Sequence, residues 1–164
     1  MGNVLYEVSY KFEIGAFIPL FMVIMIPVIG LRNRNFADSL GAKIFLGVAW
    51  CFTLAVTVVV GIHQIRMYTT VTGAYRDGEY QTVEGYVENF HPMPPEGHDT
   101  EDFDIQGVSF SYSDYTVMTG YHNAKSKGGV ITGDGQYLKI GYVQYNGENV
   151  IVYIEELPAP EGSS

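Results

Sequence analysis

Two apolar segments decide the fold of this chain: IGAFIPLFMVIMIPVIGL at positions 14–31 and IFLGVAWCFTLAVTVVVGIHQI at positions 44–65, separated only by RNRNFADSLGAK. At the rise of an α-helix they span about 27 and 33 Å, close to the ~30 Å hydrocarbon core of a bilayer. We therefore predict helices at about 12–31 and 43–65, joined by a loop at 32–42, as a transmembrane hairpin.

The rest of the chain divides around that hairpin. We predict an N-terminal flank at 1–13, the hairpin at 14–65, a stalk or helix continuation at 66–79, a β-barrel domain at 80–157 and a loose tail at 158–164. The fold class is α+β: a two-helix hairpin followed by a small antiparallel barrel of the OB or SH3-like kind, with five or six strands.

Charge is distributed unevenly between the two parts. Residues 1–68 carry five basic and three acidic side chains, whereas residues 69–164 carry four basic and fifteen acidic ones, which together give the net charge of −9. An acidic C-terminal part excludes nucleic acid, whose phosphates require a basic face. The single cysteine, Cys51, allows no intramolecular disulfide.

The charges flanking the apolar segments predict an orientation. Arg32, Arg34 and Lys43 lie in or beside the connecting loop, and short loops rich in Lys and Arg stay in the cytoplasm. We predict that the loop at 32–43 is cytoplasmic and that both termini and the β-domain are extracytoplasmic, in a multi-pass protein of the cell membrane.

Inside the hairpin, prolines and small residues are the informative features. Pro19 and Pro27 each remove a backbone donor, so neighbouring helices or local turns must satisfy the carbonyls that they free. Gly47, Cys51 and Ala55 form one small-residue face of the second helix, and Ala49, Thr53, Thr57 and Gly61 form another. We predict that one face packs on the first helix, with Gly47, Cys51 and Ala55 as helix-packing residues; the alternative is that a second face also serves self-association or a partner subunit.

From position 80 onward the apolar period changes to two, which is typical of strands. Residues 80–90 predict a strand interrupted at Gly85. Residues 103–112 predict a hairpin that turns at Gln106-Gly107, and residues 136–145 and 150–157 predict a second hairpin across 146–149. Residues 115–121 are a candidate short strand.

The stretch EGYVENFHPMPPEGH at 84–98, followed by GVSFSYSD at 107–114, resembles a family of uncharacterised bacterial proteins that place this β segment beside membrane helices. The resemblance covers about residues 80–156. It implies a membrane-anchored β-domain and carries no established activity. NfeD-like proteins, which end in a membrane-anchored OB barrel, are a weaker architectural analogue.

The proline-rich loop at 91–104 is a candidate metal site. It brings two histidines and several carboxylates together, and zinc and calcium use such ligands. The candidate ligands are His91, His98, Glu101 and His122. The alternative is a solvated acidic loop that holds no cofactor.

Tyrosines are numerous in the β-rich part, and they are amphipathic residues that favour interfaces. We predict that aromatic and acidic residues form a surface for a protein partner or small ligand: Phe90, Phe110, Tyr112, Tyr121 and Asp114. No Walker loop or nucleophile elbow is present in the sequence, so the prediction is a non-enzymatic binding module. The alternatives are a metal sensor or metal-dependent enzyme that uses His91, His98 and Glu101, and a structural subunit of a larger membrane complex.

Overall fold

The computed structural model describes residues 2–9, 18–32, 39–94, 99–116 and 118–160. The chain divides into two compact units. One, the helical unit, is Lys11–Arg66; the other, the β unit, combines Met1–Tyr10 with Met67–Ser164. The described residues form an α+β fold with two α-helices and seven strands in two antiparallel sheets.

The helices are α1, Ile18–Arg32, and α2, Leu40–Asp77. Residues 12–17 of the predicted first helix and 33–38 of the predicted loop lie outside the described residues. Helix α2 begins three residues before the predicted start and continues through the predicted stalk. Its last part carries Met67 and Val71, spaced as i and i+4, which are buried in the β unit, so packing there extends the helix.

Within the described residues one helix, α2, is long and apolar enough to cross a membrane. The apolar part of α1, Ile18–Gly30, is shorter than a full span. Among residues 18–32 and 39–66 whose side chains are described, none is buried, and large apolar side chains such as Phe21, Phe45 and Phe52 face outward.

The two helices contact each other within the helical unit. The indole Nε1 of Trp50 donates a hydrogen bond to the carbonyl oxygen of Val23 at 3.0 Å. Gly30 lies against the Leu46 side chain, which is 2.9 Å from where a Cβ on Gly30 would stand. These two contacts place residue 30 beside 46 and residue 23 beside 50, so the helices run antiparallel.

The face of α2 predicted to pack is exposed. Gly47, Cys51 and Ala55 are all exposed, and open space surrounds the position of a Cβ on Gly47. The partly buried residues of 39–66 lie on the other small face and its extension: Ala42, Leu46, Ala49, Thr53, Thr57, Val60, Gly61 and Gln64.

The β unit contains a four-stranded and a three-stranded sheet. The first has the order β1-β7-β6-β2, with β1 Asn3–Glu7, β2 Gln81–Tyr86, β6 Tyr137–Tyr145 and β7 Glu148–Glu156. The second has the order β3-β4-β5, with β3 Glu88–His91, β4 Glu101–Ile105 and β5 Val108–Tyr112.

The prediction of a closed barrel is wrong for the described residues, because their strands form two separate sheets. The predicted strand at 80–90 is two strands, and the chain changes sheets at Val87. There the Val87 N–H donates to the Gln136 carbonyl, and its carbonyl accepts from Gly135 N–H, both at 2.9 Å. Gly85 is a paired member of β2, and a Cβ there would stand 2.9 Å from the Gln106 side chain and 3.0 Å from that of Ile105.

Both predicted hairpins are confirmed. Strands β4 and β5 turn at Gln106-Gly107 and strands β6 and β7 turn at Asn146-Gly147, with positive φ at all four residues, as a two-residue hairpin turn of the primed kind requires. The second turn is shorter than predicted, since Glu148 already pairs with Tyr145. The described residues of 115–121 form turns and bends instead of a strand, and β1 was not predicted.

Two clusters of buried side chains lie on opposite faces of the four-stranded sheet. The first fills the space between the two sheets and includes Phe103, Phe110, Ile140 and Ile154. The second covers the outer face, where Val143, Val150 and Val152 pack against Met67 and Val71 of α2. A bulge at Val152, between the pairs Gly141–Tyr153 and Tyr142–Ile151, makes this division possible, because it places Val152 and Ile154 on different faces although they are two residues apart.

Candidate functional site

The outward face of the three-stranded sheet is polar. Strand β4 alternates so that Phe103 and Ile105 are buried while Asp102 and Asp104 point out. Strand β5 buries Phe110 and Tyr112 in the same way and exposes two serines. Asp102 pairs with Ser111, and Asp104 pairs with Ser109, so strand alternation and hairpin register bring the four polar residues together.

A groove of about 470 Å³ opens over this face. The β6–β7 turn forms one side of the groove, and Asn89 of β3 contributes from the other end of the sheet. Its lining is Asn89, Asp102, Phe103, Asp104, Ser109, Phe110, Ser111, Gly147, Glu148 and Asn149. Three carboxylates and no Lys or Arg belong to this set, so the groove is acidic.

Hydrogen bonds hold the two aspartates in place. The Asn89 side-chain amide donates to Asp104 Oδ2 at 2.8 Å, and the Thr100 hydroxyl donates to Asp102 Oδ2 at 2.9 Å. Hydrogen bonds from Ser109 and then Asn89 lower the pKa of Asp104 below its usual value. Asp104 therefore carries a negative charge at neutral pH. Because its side chain is already held in place, little further conformational entropy is lost when a ligand binds.

Glu101, at the start of the same strand, is fully buried. The Tyr112 hydroxyl donates to its Oε1 at 2.6 Å, and the Lys125 backbone N–H lies 3.1 Å from both oxygens. A longer bond of 3.4 Å comes from the Met93 N–H. Burial, and then the hydrogen bond to Glu101, raise the pKa of the Tyr112 hydroxyl far above its usual value. The Glu101 carboxylate therefore links β4 to β5 and to the segments at Met93 and Lys125.

The residues predicted as metal ligands do not converge in the described structure. His91 is exposed on β3, His122 Nδ1 lies 2.9 Å from the Gly120 carbonyl oxygen, and both Glu101 oxygens already accept hydrogen bonds. His98 lies outside the described residues. Within the parts of the chain that the structure describes, no three His, Cys, Asp or Glu side chains are grouped as metal ligands.

The residues predicted to bind a partner fall into two groups. Phe110, Tyr112 and Tyr121 are only 2–3% exposed in the cluster between the sheets, and of these three only Phe110 also borders the groove. Phe90 and Asp114 lie nearer the surface. The sequence argument placed the buried three at the surface because tyrosine enrichment does not distinguish a half-buried core from a contact face.

Phe90 and Asp114 are both engaged by lysines of the turn at Lys125–Lys127. The Lys125 ammonium lies 5.4 Å from the centre of the Phe90 ring, and the Lys127 ammonium lies 4.7 Å from that of Tyr115. Lys127 also forms an ion pair with Asp114, and that carboxylate raises the pKa of the lysine. The Lys127 ammonium is thus the partner of the Asp114 carboxylate, and the ion pair neutralises this acidic residue.

Sequence reasoning missed the residues that line the groove. The signal was present in the predicted hairpin at 103–112: Asp-x-Asp precedes the Gln106-Gly107 turn, and Ser-x-Ser follows it. The alternate apolar residues of this hairpin define its buried face. The polar parity defines the opposite face equally well, and it identifies Asp102, Asp104, Ser109 and Ser111.

In comparisons with known proteins, no family model, no curated protein and no solved structure matches this chain. The resemblance to membrane-anchored β-domain proteins therefore stays a prediction, and function has to be argued from the chain's own residues.

Proposed function

We propose that this protein is a membrane-anchored, non-enzymatic binding module. Its helical unit inserts into a bilayer, and the acidic groove of its β unit binds a cationic segment of a protein partner at the membrane surface. The groove is the observation that supports this proposal. Strand alternation, hairpin register and local hydrogen bonds bring its polar side chains together, and these side chains take no part in the packing of the core.

Side-chain exposure in α2 supports the anchor. Apolar residues of positions 40–66 point outward on every side of α2 except its partly buried face, which would be costly in water and is the rule in lipid. The hydroxyls of Thr53 and Thr57 donate to the carbonyls of Ala49 and Thr53, at 2.9 and 2.8 Å. These polar groups are satisfied within the helix, as a hydrocarbon environment requires.

We further propose that α1 crosses beside α2 as a hairpin with a cytoplasmic loop, and that the β unit is extracytoplasmic. The three basic residues at 32–43 support this orientation. A protease added to sealed right-side-out vesicles should then digest the β unit and spare the loop. Digestion of the β unit only after the vesicles are opened would reverse the orientation.

Charge complementarity supports a cationic partner. Asp102, Asp104 and Glu148 line the groove, and residues 69–164 carry fifteen acidic against four basic side chains. Such a surface attracts Lys- or Arg-rich segments and repels acidic ones. The fixed positions of the two aspartates suit a row of spaced ammonium or guanidinium groups, since alternate strand residues stand about 7 Å apart.

The test uses the full chain in phosphatidylcholine nanodiscs with tetralysine as the probe at low salt. Asp102→Asn with Asp104→Asn should raise the Kd about three- to tenfold, because exposed ion pairs contribute roughly 0.2–1 kcal/mol each. The control pair, Glu79→Gln with Glu156→Gln, removes the same charge from exposed positions that do not line the groove. Absence of binding, or an equal loss from both pairs, would contradict the proposal.

Self-association through α2 is a second candidate, because Gly47, Cys51 and Ala55 lie on an exposed face. Small residues four apart let helices approach closely in lipid. Gly47→Leu with Ala55→Leu should convert oligomers to monomers in mild detergent, whereas Ala49→Leu, on the partly buried face, should leave the oligomer intact. A monomeric wild-type chain would exclude this candidate.

A further inference from the structure

The hydrogen bond between the two helices has an unusual acceptor. In an α-helix the carbonyl of Val23 accepts from the N–H four residues later, but that residue is Pro27, which has no N–H. The proline therefore frees the Val23 carbonyl. Trp50 of α2 donates its indole N–H to this oxygen, at 3.0 Å.

A second contact lies on the same side of α1. Val23, Ile26 and Gly30 are its partly buried residues there, spaced three and four apart, while residues such as Phe21 and Ile24 are exposed. Gly30 has Leu46 beside it, close enough that a larger residue would collide with that side chain. The hydrogen bond from the Trp50 indole is thus one of the contacts between the two helices.

We infer that Trp50 replaces the donor that Pro27 removes, and that this bond lets α1 lie in the hydrocarbon against α2. The inference rests on the proposed membrane function and deepens it by assigning α1 to the same lipid layer. The described part of α1 is only about 22 Å long, shorter than the ~30 Å core, so length alone does not assign it.

The physical argument concerns what water would otherwise supply. On a water-exposed helix, a solvent molecule can hydrate a carbonyl freed by proline, and no protein donor is needed. In hydrocarbon, an unsatisfied carbonyl is costly, and a neighbouring helix has to provide the donor. Trp50 is 37% exposed, so its ring also contacts the surrounding medium while its N–H is occupied.

The single tryptophan makes the bond directly measurable. In the full chain in nanodiscs, labelled with ¹⁵N-tryptophan, one indole N–H signal is expected, and its exchange with D₂O should be slow. Pro27→Ala restores the helical donor to the Val23 carbonyl. The substitution should shift the indole signal and speed its exchange about three- to tenfold, the range expected for losing one interhelical hydrogen bond in a membrane.

Pro19→Ala is the matched control, because it adds a backbone N–H in the first turn of α1, eight residues before position 27, and leaves the Val23 carbonyl unchanged. It should leave the indole signal and its exchange rate as they are in the wild type. An indole signal that responds equally to both substitutions, or to neither, would overturn the inference.

Thiol accessibility separates failure of this inference from failure of the anchor. In phosphatidylcholine vesicles, Cys51 of the wild type and the thiol introduced by Met22→Cys in a Cys51→Ala chain should both resist a water-soluble maleimide. A protected Cys51 with a reactive thiol at position 22 would overturn the placement of α1 and leave the anchor standing. Reaction at both positions would overturn the membrane function itself.

Discussion

The helical unit and the β unit place apolar side chains in opposite ways. In the described residues of 18–66, the large apolar side chains of Phe45, Phe52 and Val59 are among those that point outward, and none is buried. From residue 67 onward, the large apolar side chains are buried or half-buried, with Tyr115 as the exposed exception among described residues. Hydrophobic residues are therefore exposed in one part of the chain and buried or half-buried in the other.

The difference teaches that composition has to be interpreted relative to the solvent of each region. Tyrosine and phenylalanine in the β unit fill the space between two sheets, and such burial is favourable for a fold that water surrounds. The same side-chain types in α2 gain nothing from burial against each other if lipid surrounds them. Polar groups that water does not reach need hydrogen-bond partners in both units. The Val23 carbonyl has Trp50 as its partner, and the buried Glu101 carboxylate has Tyr112.

Core truncation should give the largest contrast between the two units. Phe103 is buried and stacks on Phe110 with ring centres 5.1 Å apart, whereas Phe52 is 71% exposed. We expect Phe103→Ala to lower the free energy of unfolding of the β unit by about 3–5 kcal/mol, and Phe52→Ala to leave it unchanged. Urea denaturation of the full chain in micelles, followed by tyrosine fluorescence, measures both. Similar losses from the two variants would remove the distinction.

The next largest effect should come from the buried carboxylate. Glu101→Ala leaves the Tyr112 hydroxyl and the N–H groups of Lys125 and Met93 without their acceptor, at a cost of about 3 kcal/mol. Tyr112→Phe removes one donor only and should cost about 1 kcal/mol. The same urea measurement ranks the two.

Glu84→Ala is the control for that comparison, because Glu84 is exposed and accepts a hydrogen bond from the exposed hydroxyl of Tyr137. It should change the free energy of unfolding by less than about 0.5 kcal/mol. If Glu101→Ala were as mild as Glu84→Ala, the buried network would be incidental to the stability of the β unit.

Local signals in the sequence predicted a large part of the fold. The Gln106-Gly107 and Asn146-Gly147 turns, each between alternating segments, predicted both hairpins, because turn chemistry and parity act over a few residues. The second apolar segment predicted the long helix in the same way. Met67 and Val71 could also have indicated its extension past position 65, since they continue the helical period.

What the sequence did not predict depends on residues far apart in the chain. Strand β1 pairs with β7, about 150 residues away, and five residues carry too little periodicity to indicate a strand. The change of sheet at Val87 requires backbone partners at Gly135 and Gln136. The acidic groove depends on a local signal, the alternation of polar residues at 102–104 and 109–111, whereas the predicted site residues lie elsewhere: Tyr112 and Tyr121 are in the core and His91 is exposed on β3.

The smallest expected effect concerns the charge that the groove holds. Hydrogen bonds from Ser109 and Asn89 lower the pKa of Asp104 in the folded state below its usual value of 3.8. The ionised carboxylate therefore stabilises the β unit at pH values above 3.8. This contribution should disappear as the pH falls through the lowered pKa. Because Asp104 is near the surface, we expect only about 0.5 kcal/mol.

The pH dependence of this contribution compares the wild type with Asp104→Asn. The difference in the free energy of unfolding between them should be constant from pH 7 to about 5 and should shrink below pH 4, as protonation removes the charge from the wild type. Asn89→Ala removes one of the two hydrogen bonds to Asp104 and should reduce the pH-dependent part. A difference that grows on acidification would mean that charge repulsion in the groove raises the pKa of Asp104. The carboxylate would then lose its charge at a higher pH and attract a cationic partner less strongly than the proposed function requires.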